Sequence, residues 1–189
     1  MADGEALKNL LSRMEADYPD RIIVPGVGSA GARVVLIGEA PGENEEKQRC
    51  PFVGKAGKML DEFLSLSGIA RESLYITNSV KFRPTAEGKR GPVNRKPTKA
   101  EIDAFRPYLM RELEIIRPAY VVTLGNTPLS ALTGQSITIG SVHGKVLELD
   151  GFRLYPMYHP ASVIYNRSLN ETYRRDVCAL GELIRHDGY

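Results

Sequence analysis

The chain has 189 residues, 42% hydrophobic and 25% charged, with a formal net charge of +2. That size and balance fit one globular domain, residues 1–189, able to bury a full core, and no second domain is expected. No apolar run approaches a membrane span and the N-terminus lacks the basic start and apolar core of a signal peptide, so a cytoplasmic protein without membrane contacts is expected; Cys50 and Cys178, far apart and without metal-ligand spacing, exclude a disulfide framework and a four-thiolate site.

Leu7, Leu10, Leu11 and Met14 recur at helical spacing and predict an amphipathic N-terminal helix. Val34 to Ile37 reads as a buried strand that opens directly into Gly38-Glu39-Ala40-Pro41-Gly42-Glu43. A glycine and proline turn at the end of a buried strand stands where open α/β sheets place their ligand sites. Its glycines allow close backbone approach, Pro41 stiffens the turn and Glu39 adds a carboxylate. Taken alone, the segment also suits an ordinary strand-to-helix loop. After Pro51-Phe52-Val53-Gly54-Lys55-Ala56-Gly57, the residues Met59, Leu60, Phe63 and Leu64 line one face of a helix that Gly68 ends in a left-handed cap. Leu74 to Asn78 is a second strand.

From Lys81 to Lys99 lie seven basic residues, Lys81, Arg83, Lys89, Arg90, Arg95, Lys96 and Lys99, opposed only by Glu87. Such a cluster on a proline and glycine rich loop suits phosphate contacts, with a merely solvated loop as the alternative. Thr98 and Glu101 form a capping box for a helix that presents Ile102, Phe105, Leu109, Leu113 and Ile116 and ends before Pro118. Tyr120 to Leu124 is a third strand, and Gly125-Asn126 leads into a short helix that stops near Gly134. Lys145 to Leu149, Asp150-Gly151 and Phe152 to Tyr158 read as a hairpin supplying the fourth strand. A helix from about Asn170 closes the chain.

Strands alternating with helices predict a three-layer α/β/α domain around a central, mainly parallel four-stranded sheet. Its carboxyl-end loops then converge, bringing Glu39, Phe52, Asn78 and His159 into one crevice: a carboxylate, an aromatic face, an amide and an imidazole.

Five ordered blocks, Gly38-Glu39-Ala40-Pro41-Gly42, Pro51-Phe52-Val53-Gly54 with Ala56-Gly57, Tyr75-Ile76-Thr77-Asn78 with Val80-Lys81, Asn94-Arg95, and His159-Pro160-Ala161, strongly resemble the uracil-DNA glycosylase superfamily, in particular its family-four type. The match runs from about Val34 to Asp176. The resemblance implies a three-layer fold, a uracil flipped out of DNA into a pocket, and cleavage of its N-glycosidic bond to release free uracil. On that reading Phe52 stacks on the base, and Asn78 donates to uracil O4 and accepts from N3–H, a pattern that cytosine cannot complete. His159 donates to O2 as negative charge builds on the leaving base. Glu39 stabilises the sugar cation or orients the attacking water, while Gly38 and the backbone N–H of Ala40 help hold the base. DNA grip falls to Lys81, Arg83, Lys89, Arg90, Arg95 and Lys96, with Ile164 and Tyr165 as a wedge toward the minor groove. Relatives carry a leucine and an arginine at these last two positions, so Tyr165 lacks the cation. His143 and His186 are read as structural.

The chain also departs from the family pattern. Family-four relatives hold an iron–sulfur cluster on four cysteines, two near the N-terminus, one just after the Val80-Lys81 strand end and one in the following helix. Here Phe82 and Phe105 stand at the latter two positions and the first thirty residues contain no cysteine. No iron–sulfur cluster, other metal or cofactor is expected, and a monomer is. Arg49 replaces a usual glycine, and the basic loop is longer. Alternatives to a uracil-specific enzyme are a glycosylase for another deaminated base, a non-catalytic DNA-binding relative, and a nucleotide or nucleoside hydrolase using the same loop as a phosphate cradle.

Overall fold

Val34–Gly38, Leu74–Asn78 and Tyr120–Leu124 are buried at every position, the pattern of strands covered on both faces. The computed structural model describes residues 2–188. In chain order it contains α1 (Ala2–Asp17), β1 (Val27–Gly28), β2 (Val34–Gly38), α2 (Glu43–Gln48), α3 (Lys55–Ser67), β3 (Leu74–Asn78), β4 (Thr85–Gly88), β5 (Gly91–Asn94), α4 (Lys99–Ile116), β6 (Tyr120–Leu124), α5 (Asn126–Thr133), α6 (Ile139–Val142), β7 (Leu147–Leu149), β8 (Phe152–Met157), α7 (Pro160–Tyr165) and α8 (Asn170–His186). The main sheet runs β1-β3-β2-β6-β8-β7. Its four central strands are parallel, and β1 and β7 add antiparallel edges. The mixed α/β fold with a mainly parallel sheet is therefore the one the sequence predicts, widened from four strands to six. β1 escapes a sequence reading because it is two exposed residues with no apolar run.

Alternation along the strands sends side chains to two faces. Leu60, Phe63 and Leu64 of α3 and Tyr173, Val177, Leu180 and Ile184 of α8 pack on Val34, Leu36, Leu74 and Val122. Leu109, Leu113 and Ile116 of α4 and Leu129 and Leu132 of α5 pack on Val35, Ile37, Tyr75 and Val121. The helix ends follow the sequence signals. Thr98 and Glu101 complete the capping box of α4, and Gly68 ends α3 at φ 72°.

A third apolar cluster lies beside the sheet, where α1 crosses α4: Leu10, Met14, Ile23, Val80, Phe82, Phe105 and Ile115. Tyr18 stacks on Phe105 at 4.6 Å, Phe82 meets the same ring at 5.5 Å, and Tyr108 lies at 5.8 Å. Arg21 covers Phe82, its guanidinium 4.7 Å from the ring centre. The stretch expected to be an irregular basic loop instead contains a small hairpin, β4 paired antiparallel with β5 outside the main sheet. No helix among the described residues is long and apolar enough to cross a membrane.

Candidate active site

The site begins at the last residue of β2. Gly38 pairs in register with Asn78 at the end of β3, and a Cβ at Gly38 would collide with Asn78 Oδ1 and stand 2.7 Å from the Phe52 ring. Glycine there lets an amide and an aromatic face share one end of the crevice. Phe52 itself has φ 55°, a left-handed conformation that costs a non-glycine residue roughly 1–2 kcal/mol. Neighbours hold it there. Glu45 Oε1 accepts from the backbone N–H groups of Val53 (3.1 Å) and Gly54 (2.8 Å). Arg71 donates to the carbonyls of Pro51 (3.2 Å) and Phe52 (3.0 Å) while paired with Asp61. Gly57 on α3 has no side chain because a Cβ there would strike the Phe52 carbonyl.

Asn78 is buried and lines a cleft of about 360 Å³ with Ala40, Gly42, Phe52, Asn94 and His159. Ser79 and Val80 stitch the strand end to the β2 turn, their N–H groups donating to the carbonyls of Gly38 (2.9 Å) and Glu39 (3.2 Å). His159 caps the N-terminus of α7, and its ring centre lies 5.9 Å from that of Phe52 with the planes 27° apart. Its Nδ1 accepts from the Ala161 N–H at 3.1 Å, which puts the proton of the neutral imidazole on Nε2. Burial lowers the pKa of His159 from its ordinary 6.5, against an opposing pull from the Glu39 carboxylate. The ring is thus a neutral N–H donor, and protonating Nδ1 would set two N–H groups against each other. Glu39 lines an adjoining space of about 370 Å³ with Asn94, Lys96, Thr127, His159 and Tyr165, and accepts from Thr127 Oγ1 at 2.5 Å.

Of the four residues expected in one crevice, Phe52, Asn78 and His159 line one cleft and Glu39 lines the adjoining space, with His159 bordering both; the basic stretch divides. Lys81, expected to touch DNA, is fully buried: its ammonium bonds Glu112 Oε2 and Thr77 Oγ1, each at 2.5 Å. Burial lowers its pKa, with Glu112 pulling the other way. Arg83 is turned inward, its Nε donating to Asn94 Oδ1 at 2.6 Å and its head lying 3.5 Å from Glu46 and 3.6 Å from Glu43. Arg95 forks onto both oxygens of Glu101 at 2.7 Å, which lowers the Glu101 pKa to about 2. Lys99 pairs with Asp103. Lys89 and Arg90 at the hairpin tip, and Lys96, are exposed. Ile164 and Tyr165 stand out from α7, Tyr165 at 89% exposure. Glu45 and Thr127 are site residues that the sequence alone does not single out. Glu45 stands among Glu43 and Glu46 with nothing local to distinguish it, and Thr127 follows a turn already marked by Gly125-Asn126.

The side chains present do not fit an iron–sulfur cluster. An iron–sulfur cubane needs four thiolates, whereas Cys50 lies half-buried before Pro51 and Cys178 is exposed on α8. Phe82 and Phe105 are buried, with their rings in mutual contact. No group of three or more His, Cys, Asp or Glu side chains suited to a metal ion occurs among the described residues.

The carboxyl edge of this open α/β sheet presents an amide, an aromatic face and a neutral imidazole to one cleft, the place where α/β proteins of this architecture bind their ligands. Residues 25–180 match the uracil DNA glycosylase superfamily, and the chain belongs to that superfamily. It is 42% identical over 168 residues to the type-4 uracil-DNA glycosylase of Archaeoglobus fulgidus, covering 85% of this chain and 81% of that one. The type-4 uracil-DNA glycosylase of Thermotoga maritima is 43% identical over 154 residues, 80% of this chain and 76% of its own. A type-5 uracil-DNA glycosylase of Pyrobaculum aerophilum is 32% identical over 181 residues, 86% of this chain and 74% of its own.

Proposed function

We propose that the protein is a monofunctional uracil-DNA glycosylase that works without an iron–sulfur cluster. One observation carries the reading: the Asn78 amide and a His159 ring whose free proton is on Nε2 face a single cleft. Uracil offers the complements of both. Asn78 donates to O4 and accepts from N3–H, His159 Nε2–H donates to O2, and Phe52 supplies the stacking face. Cytosine at the same place opposes an amino donor to the amide N–H and an unprotonated nitrogen to its oxygen, leaving buried groups unpaired.

As the glycosidic bond lengthens, charge flows onto uracil O2. A fixed neutral donor stabilises that charge more than it stabilises the bound base, which is what speeds the step. Glu39 supplies the compensating negative charge near the sugar and an acceptor for water. The groups assigned to the chemistry are an amide, an imidazole and a carboxylate, with no amine nucleophile among them, so the product is an abasic site and free uracil. Lys89, Arg90 and Lys96 supply the exposed charge for the DNA backbone, and Ile164 and Tyr165 supply the wedge that fills the vacated stack.

The aromatic cluster between α1 and α4 supports the cluster-free reading, because it ties together by packing the segments that a cluster would staple. Single-turnover assays on DNA carrying uracil, hypoxanthine, xanthine or mispaired thymine test the base assignment. Uracil released fastest is expected; preferential release of a purine would reassign the pocket, and no release of any base would make the chain a binding relative. Iron analysis of anaerobically purified protein tests the cofactor assignment, with a colourless protein expected and stoichiometric iron refuting it.

A further inference from the structure

Glu39 reaches the site from a turn, so its carboxylate needs an anchor to act at a fixed place. Among the described residues its side chain has one hydrogen-bond partner, Thr127 Oγ1, which donates to Oε2 at 2.5 Å. Thr127 comes from the connection after β6, separate in sequence from the β2 turn. The turn that carries it is held on both sides: the Gly125 N–H donates to Met157 O at 2.8 Å, Asn126 Oδ1 accepts from Ile139 N at 2.7 Å, and the Thr127 carbonyl accepts from Ser130 Oγ at 3.0 Å.

Position within α5 explains why this hydroxyl is available. A threonine inside a helix commonly donates back to the carbonyl four residues earlier, as Thr133 does to Leu129 O at 2.8 Å. Thr127 is the second residue of the same helix, so no helical carbonyl lies behind it and its hydroxyl turns to the cleft. A hydroxyl donating to a carboxylate is a charge-assisted bond, short and strongly directional.

We propose that Thr127 is a positioning residue for Glu39: it fixes Oε2 and leaves Oε1 as the oxygen that faces the water or the developing sugar cation. This rests on the glycosylase reading and adds to it a residue that acts only through the carboxylate. On this assignment Thr127 acts through the carboxylate alone, so its removal is expected to slow the chemical step and leave DNA affinity alone.

The test uses the full chain and uracil-containing duplex DNA. T127V keeps the shape and removes the donor; T127S keeps the donor and removes a methyl group. T127V is expected to lower the single-turnover rate by about 10- to 100-fold, the scale for a misplaced catalytic group, with the dissociation constant for uracil-DNA unchanged. T127S is expected to restore most of the rate. If T127V folds poorly, T127A carries the same expectation. A wild-type rate in T127V or T127A, equal losses in T127V and T127S, or a loss seen only in affinity would overturn the proposal while leaving the glycosylase reading intact. A wild-type protein that releases no uracil would instead overturn that reading, and this proposal with it.

Discussion

Phe105→Ala tests the proposal that aromatic packing ties α1 to α4. The ring is 1% exposed, with Tyr18 at 4.6 Å on one side and Phe82 at 5.5 Å on another. Burying a phenyl side chain of roughly 200 Å² at about 25 cal/mol per Å² contributes about 5 kcal/mol against an extended unfolded chain, an upper value because real unfolded chains are more compact. Truncations of buried phenylalanine cost about 3–5 kcal/mol once the cavity is included. The expected loss lies in that range, because Tyr18 and Phe82 lose their shared partner together. For a chain of this size that corresponds to a fall in melting temperature of roughly 6–20 °C. Urea titrations of wild type and variant, read at the midpoint with the slope held common, measure it. A loss below about 1 kcal/mol would show that the segments are held by something other than these rings.

Asn78→Asp is expected to weaken uracil excision and to admit cytosine, since a carboxylate accepts from the cytosine amino group; unchanged excision would remove Asn78 as the reader. His159→Ala is expected to slow the chemical step while DNA affinity stays nearly intact, and equal losses in both would assign it to binding. Because burial lowers the His159 pKa from 6.5, the unfolded chain takes up this proton first as pH falls. The stability from the neutral ring is therefore complete above the unfolded value and is lost as pH falls toward the folded one. The rate is expected to hold through pH 6.5 and decline only below it, and a midpoint at or above 6.5 would contradict the buried neutral donor. Neutralising Lys89, Arg90 and Lys96 together should flatten the salt dependence of duplex binding by about 0.9 for each phosphate that is no longer neutralised, whereas an unchanged slope would make them solvated charges. Glu112→Ala leaves the Lys81 ammonium buried without its counter-ion and is expected to cost about 3–5 kcal/mol by denaturation, and a loss under about 1 kcal/mol would show that water reaches the lysine.

The elements legible in the sequence are those whose residues carry their own reason. The apolar strands Val34 to Ile37 and Tyr120 to Leu124, the Thr98 and Glu101 box and the Asp150-Gly151 turn each state a local physical preference. That Phe52, Asn78 and His159 share a cleft, with Glu39 in the space beside it, follows once those strands are parallel. Pairing across the fold has no such local signature. The charge summed from Lys81 to Lys99 suggests a broad basic surface, yet Glu112, Glu46, Glu101 and Asp103 lie outside that stretch and pair with four of its cations. Tyr75 and Thr77 offer a clue, two polar side chains on one face of a buried strand, and both bond to Glu112. The left-handed Phe52 has no such clue, because Glu45, Gly57 and Arg71, which hold it, matter only through the folded chain.

The most direct test of cluster-free uracil excision is the fate of one labelled uracil in a DNA strand incubated with purified protein and a chelator. Free uracil is expected, together with an intact strand that breaks only on later alkali treatment, and loss of that release in Asn78→Asp and His159→Ala. A strand cut without alkali, release abolished by the chelator, or uracil retained in the DNA while free nucleotides are hydrolysed would contradict it.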